Sequence, residues 1–239
     1  MQPLSTHGAR LLAFPAPSKG HAARVIGPLL KAHRLPELLA AQLLRAAGAG
    51  ENPHTALTAA LSARMRVEPL DIARAHGILL VGPSGAGKSS VAAAIAMSTD
   101  RTTMLLPARA GLMSFRSGEL PDGRLAVMEA EGFHPLNPKA RGAFAALNNI
   151  ANVETLGVVS AAGDAEDVAE TIAAFRFQRI VVTGLDRTHR LGALTAALTS
   201  GAKVASLYRN GTLEAPDAAA LATWLLASPG GRAGGEKLS

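Results

Sequence analysis

The sequence predicts an α/β chain, a mostly parallel sheet with helices on both faces, preceded by a small N-terminal helical bundle. Three observations carry that prediction. The glycine-rich run Gly82-Pro83-Ser84-Gly85-Ala86-Gly87-Lys88-Ser89-Ser90 follows the apolar segment Gly77-Ile78-Leu79-Leu80-Val81 and opens a helical stretch at about 87–98. Beyond it, short apolar runs alternate with amphipathic stretches, the mark of crossover units and of parallel strands buried on both faces. Ahead of it, apolar residues recur at helical spacing in three successive stripes.

Residues 1–20 contain Pro3, Pro15, Pro17, Ser18 and Gly20 and read as an irregular arm. The N-terminal end is basic, since Arg10 and Lys19 in the arm and then Arg24, Lys31 and Arg34 all precede the first acid, Glu37. Within 21–75 the stripes are Val25, Ile26, Leu29 and Leu30, then Leu38, Leu39, Leu43 and Leu44 after Pro36, then Leu57, Leu61 and Met65 after Asn52-Pro53. Proline suits a first helical turn, so three or four short helices form a bundle there, and Val67–Ala75 links it to the sheet. Strands are expected at about 77–82, 102–107, 124–129, 154–160, 179–183 and 203–207, with helices at about 138–149, 164–176, 190–200 and 216–227. Residues 76–228 thus make the second domain. The stretch Ser228–Ser239 holds four glycines and reads as a loose tail from about 229.

Composition narrows the function classes. The 239 residues are 48% hydrophobic with 3% aromatics, which suits a core of Ala, Leu, Val and Ile and offers no stacking platform for single-stranded nucleic acid. Cysteine is absent, which excludes disulfides, thiolate catalysis and cysteine-ligated metal, and suits a reducing cytoplasm. No apolar run approaches the roughly 20 residues that span a bilayer, so a soluble chain is expected. The formal charge is +6 and unevenly spread, and the acid-free N-terminal arm is read as a solvated leader, with anionic lipid, nucleic acid or a transit function as alternatives. The seven histidines show no paired helical spacing and are assigned to surface or polar core. Asp164, Glu166, Asp167 and Glu170 are assigned to the acidic first turns of a helix.

The glycine-rich run is a phosphate-binding loop of the P-loop NTPase kind. Gly82, Pro83, Ser84, Gly85, Ala86 and Gly87 let main-chain N–H groups converge on a phosphate, and the following helix adds the positive end of its dipole. Lys88 is assigned to the terminal phosphates, Ser89 to magnesium, and Ser90 completes the run. By itself this loop does not distinguish GTP from ATP. Asp186, just past the apolar run Ile180–Thr183, is the candidate base reader, because a carboxylate accepts two hydrogen bonds from guanine but meets a ring acceptor in adenine. A helix cap is the alternative role for such an Asp.

Thr183-Gly184-Leu185-Asp186-Arg187-Thr188-His189-Arg190-Leu191-Gly192-Ala193-Leu194, then Lys203–Gly211, then Pro216-Asp217, resemble the closing segment of the signal recognition particle GTPases, most closely the flagellar FlhF type. There a T-K-x-D loop reads guanine, a helix starts near L-G-G, and a strand ends in a glycine turn before a P-E-D-like helix start. A helical N domain precedes the G domain in that family, as the 21–75 bundle does here. The resemblance implies GTP and Mg2+ as ligands, with Thr183, Asp186 and Gly211 around the nucleotide. It also implies pairing with a second copy or another NG-type GTPase, a cytoplasmic location, and peripheral contact with the anionic inner membrane.

The chain departs from the family pattern at three places. Gly184 stands where the family has Lys, which removes an aliphatic stem from the guanine ring. Glu129-Ala130-Glu131-Gly132-Phe133 stands in place of D-T-A-G-R, which leaves Glu129 for the metal and Gly132 for a γ-phosphate contact, without the Arg. Pro107-Ala108-Arg109-Ala110-Gly111 occupies the place of the family's D-T-x-R, so Arg109 joins Lys88 as a catalytic candidate. The functional expectation is a slow GTPase acting as a dimerisation switch in flagellar placement or membrane protein targeting. A pseudo-GTPase serving as a binding module is the alternative, and a small ATP-dependent kinase is the third reading.

Overall fold

A computed structural model describes residues 20–48, 50–117, 123–130, 133–135, 137–147 and 152–229, and the statements below concern these. The basic arm and the glycine-rich tail fall outside them, apart from Gly20 and Pro229. The chain begins with α1 (His21–Ala32), α2 (Glu37–Ala47) and α3 (Pro53–Ser62). Asn52 caps α3 by accepting the Thr55 N–H at 3.1 Å, and Pro53 takes the first turn, where its missing donor costs nothing. Then come β1 (Arg66–Val67), β2 (Gly77–Val81), α4 (Lys88–Met97), β3 (Thr103–Pro107), α5 (Ala108–Ser117), β4 (Leu125–Glu129), α6 (Pro138–Leu147), β5 (Val153–Ser160) and α7 (Ala165–Phe175). Last are β6 (Arg179–Thr183), a 3-10 turn (Leu185–Arg187), α8 (Gly192–Leu198), β7 (Lys203–Arg209), β8 (Thr212–Glu214) and α9 (Ala218–Leu226).

The strands form one sheet in the order β1-β7-β6-β5-β2-β4-β3, all parallel, with β8 antiparallel to β7. The expected parallel sheet is therefore present. Strand β2 lies between β5 and β4, where the chain first winds one way and then the other. In open α/β sheets that switch point, beyond the carboxyl ends of the strands, is where ligands bind.

Both faces are covered. One carries α4 (Val91, Ala92, Ile95) against Ile78, Leu80, Val127 and Val158. The other carries α5 to α9 and the N-terminal bundle over Leu79, Val81, Met128, Val159, Ile180 and Val182. Within it, Phe133, Phe144, Phe175 and Phe177 meet mostly edge to face, centroids 5.2–6.4 Å apart. The Phe177 ring lies over Gly157, where any side chain would overlap it.

The bundle is completed from the other end of the chain. Helix α9, capped by Asp217 accepting the Ala219 N–H at 2.6 Å, packs on α1 and α3. The ring of His33 is buried and reaches the Ala227 carbonyl at 2.8 Å, and His54 contacts Thr223 Oγ1 at 2.9 Å. A second seam runs to α8, where the Gly192 N–H donates to the His33 carbonyl at 2.9 Å and a Cβ at 192 would overlap Arg34.

At the amino ends of the strands, Arg179 bridges Glu154 and Glu68, and Lys203 pairs with Glu68 at 2.6 Å. Burial, and secondarily the charge of Asp71, raises the Glu154 carboxyl above its ordinary range despite the adjacent guanidinium, and burial lowers Arg179. This network lies at the opposite edge of the sheet from the phosphate loop and ties β1 to β5, β6 and β7.

Four elements exceed the sequence expectation. Strand β1 is two exposed residues with no apolar pattern of their own, β8 is three residues after a tight turn, and the 3-10 turn is equally short. Helix α5 lies where the sequence predicts no helix, and it contains Gly111. Here the residue sits against Met128, where a Cβ would overlap the thioether, so close packing explains the glycine.

Candidate functional site

The site is built where β2 ends. All of β2 is buried, and the chain then turns through 82–87 into α4. Gly82 passes so close to the Val158 carbonyl that a Cβ cannot fit, and Gly85 (φ 75°) and Gly87 (φ 92°) adopt left-handed backbone. A Cβ on Gly87 would also press on Thr183 at 3.1 Å. The Ala86 N–H turns back to the Pro83 carbonyl at 3.2 Å. Among the described residues, the N–H groups of Ser84, Gly85 and Gly87 have no acceptor, which leaves a cluster of main-chain donors at the start of a helix.

Four side chains, Lys88, Ser89, Glu129 and Thr183, surround the loop. The Lys88 ammonium donates to the Gly82 and Pro83 carbonyls at 3.0 and 2.9 Å, so it closes the loop on itself. Ser89 Oγ donates to Glu129 Oε2 at 2.7 Å, bringing together the two residues assigned to magnesium. Glu129 ends β4 in register with Leu80, which is why 40 residues of sequence separate two groups in contact. Thr183 Oγ1, buried, donates to the Ala86 carbonyl at 2.5 Å. Ser90 is exposed on the first turn of α4.

Unpaired amides, an ammonium and a hydroxyl–carboxylate pair are the donor set that a nucleotide polyphosphate with a hard divalent cation requires, so these residues fit both groups. Ser89 and Glu129 would hold the metal, and Gly82–Ser90 the phosphates. A bound metal would neutralise phosphate charge.

The remaining sequence candidates take distinct positions. Gly184 (φ 70°) starts the 3-10 turn and is packed so that a Cβ would lie 2.7 Å from Ser160 Oγ. Asp186 follows on the exposed rim of that turn, and its carboxylate has no hydrogen bond among the described residues. Gly211 (φ 88°) and Asn210 (φ 48°) form the two-residue turn between β7 and β8, beyond the carboxyl end of β7 and on the same sheet edge as the loop. Arg109 is exposed on α5, past edge strand β3, with no hydrogen bond or ion pair among the described residues. Gly132 and Glu131 lie outside the described residues.

A cavity of about 290 Å³ opens beside the loop, walled by Ser84 and Gly85 on one side and by Ser160, Asp164 and Asp167 on the other, with Arg187 at its rim. Asp164 caps α7 by accepting the Glu166 and Asp167 N–H groups, as its acidic neighbourhood suggested. The segment 160–164 carries no motif signal, because its role is to stand next to residues 76 positions earlier in the chain.

The fold and the loop define the class: a P-loop α/β protein with an N-terminal helical bundle. The chain has the fold of the signal recognition particle-type GTPases FlhF and FtsY. It superposes on FlhF complexed with GTP and Mg2+ with a TM-score of 0.63 at 14% identity, covering 86% of this chain and 99% of that one. It matches FtsY from Elizabethkingia anophelis in complex with GDP with a TM-score of 0.65 at 14% identity, covering 85% and 84% of the two chains. FtsY from Thermotoga maritima gives 0.63 at 15% identity, with 86% and 88% covered. No family model matches the sequence. Among curated proteins, the tylosin resistance ATP-binding protein TlrC of Streptomyces fradiae is 35% identical over 96 residues, which is 38% of this chain and 17% of TlrC. The chain therefore spans about a sixth of the length of the curated relative it matches.

Proposed function

We propose that the chain is a GTP-binding protein of the FlhF type, which takes GTP with Mg2+ at Gly82–Ser90 and acts as a nucleotide-dependent dimerisation switch. Its setting would be flagellar placement or membrane protein targeting at the inner face of the membrane. The observation that carries the reading is the Ser89–Glu129 hydrogen bond beside unpaired loop amides, since it joins a metal-binding pair to a phosphate cradle. Asp186 and Gly211, on loops at the same sheet edge, are the residues proposed to face the base, with Thr183 holding the loop from beneath. In this reading Lys88 neutralises phosphate charge, which positions the phosphoryl group for a slow attack by water.

A second reading, a pseudo-GTPase that binds without turnover, is favoured by Arg109, which is exposed on α5 and engages no described residue of the site. Competition against a fluorescent GTP analogue, followed by phosphate release at high protein concentration, separates the two. Displacement by GTP but not ATP, with slow release, supports the switch. Displacement with no release supports the pseudo-GTPase, and equal displacement by ATP removes the guanine assignment.

A further inference from the structure

Among the described residues, the cavity beside the phosphate loop has a single cation on its wall, Arg187. Its position is set by the turn that ends β6, in which the Arg187 N–H donates to the Gly184 carbonyl at 3.2 Å. The side chain is exposed, and among the described residues its guanidinium forms no hydrogen bond or ion pair. The carboxylates on the same wall do not claim it. Asp164 Oδ1 is taken by two amides of α7, and Asp167 lies beyond ion-pair distance.

An unpaired guanidinium lining the same cavity as the unpaired amides of Ser84 and Gly85 offers an anion on the loop a cationic partner, and it offsets the carboxylates of Asp164 and Asp167 on that wall. Lys88 bridges the carbonyls of Gly82 and Pro83, and Arg187 shares a cavity with Pro83, Ser84, Gly85 and Ala86. Lys88 is thus held by loop carbonyls, whereas no described residue claims the Arg187 guanidinium. A guanidinium presents a planar fork of donors matched to phosphate oxygens, and its attraction grows with the ligand's total charge.

We propose that Arg187 is the second cation of the phosphate site, an electrostatic specificity residue that favours nucleoside triphosphate over diphosphate. This rests on the nucleotide reading above. It deepens that reading by assigning phosphate counting to a residue next to the base loop rather than to the phosphate loop itself.

The test is calorimetric titration of wild type, Arg187→Ala and Arg187→Lys with GTP and with GDP, each with magnesium, at about 50 and 300 mM salt so that screening differs. Loss of one charge-assisted contact predicts a fall in GTP affinity of about tenfold for Arg187→Ala, with GDP changed less than about threefold. The salt dependence of GTP binding should flatten in Arg187→Ala and be largely recovered in Arg187→Lys, which keeps the charge but not the fork. Equal losses for GTP and GDP, or none, overturn the assignment while leaving the nucleotide reading intact. A wild type that binds neither nucleotide overturns both.

Discussion

Thr183 on β6 holds the phosphate loop from beneath: its hydroxyl donates to the Ala86 carbonyl at 2.5 Å, and its side chain closes on Gly87. A residue 97 positions downstream thus fixes the turn that leads into α4. Thr183→Val keeps the shape and removes the donor, leaving a buried carbonyl unpaired. The expected cost is about 1–3 kcal/mol of stability with a parallel fall in nucleotide affinity, read by urea denaturation and calorimetry. Unchanged affinity in a folded variant would show that the clasp does not shape the loop.

The Ser89–Glu129 pair predicts a metal-specific phenotype. Glu129→Gln keeps an acceptor for Ser89 Oγ but removes the negative charge that a divalent cation requires. Nucleotide affinity measured with Mg2+ should fall toward the value measured with a chelator, and the chelated value should barely move. If both values drop together, Glu129 supports the loop rather than the metal.

Gly184 cannot simply be converted to the family's Lys. Its φ of 70° and the 2.7 Å approach of a Cβ to Ser160 Oγ oppose any side chain. Left-handed backbone alone costs a non-glycine residue about 1–2 kcal/mol, so Gly184→Lys should lower the melting temperature, and Ser160→Gly alongside it should restore part of the loss. Thermal denaturation of the single and double variants decides this, and additive losses refute the steric account.

Glu154 sets a pH dependence at the opposite sheet edge. Burial holds its folded-state pKa above the ordinary value, so the folded chain binds a proton more readily than the unfolded one. Its contribution to stability is therefore present at low pH and is lost as pH rises through the window just above the ordinary carboxylate value of about 4.5. Glu154→Gln should gain stability relative to wild type between acid and neutral pH, measured by denaturant midpoints at several pH values. A gap that moves toward wild type as pH rises would mean that the Arg179 ion pair outweighs burial.

The sheet and its loop were legible in the sequence because burial on both faces writes apolar runs and because a phosphate cradle demands glycine at fixed spacing. Strands β2, β5 and β6 follow the runs at 77, 154 and 179 within a residue or so, and Gly82, Gly85 and Gly87 each have a steric or backbone reason in the structure. Glu129 was reached only through the resemblance of 129–133 to the D-T-A-G-R segment, and it lies beside Ser89 because β4 pairs with β2. That Arg187, Ser160 and Asp164 line a cavity with the loop could not be read, since they meet it through the sheet order β6-β5-β2, and no local pattern encodes that order. Helix α5 has no counterpart among the expected elements, and its Gly111 answers to the close approach of Met128.

Helix α9 supplies the fourth wall of a bundle whose other three helices come first in the chain. During synthesis, Leu30, Leu43, Leu57 and Leu61 must wait for residues 218–226 to leave the ribosome before their shared interior can close. Deleting 218–226 should therefore expose the amino-terminal helices to proteolysis and chaperones first, ahead of the sheet that lies nearer to the cut in sequence.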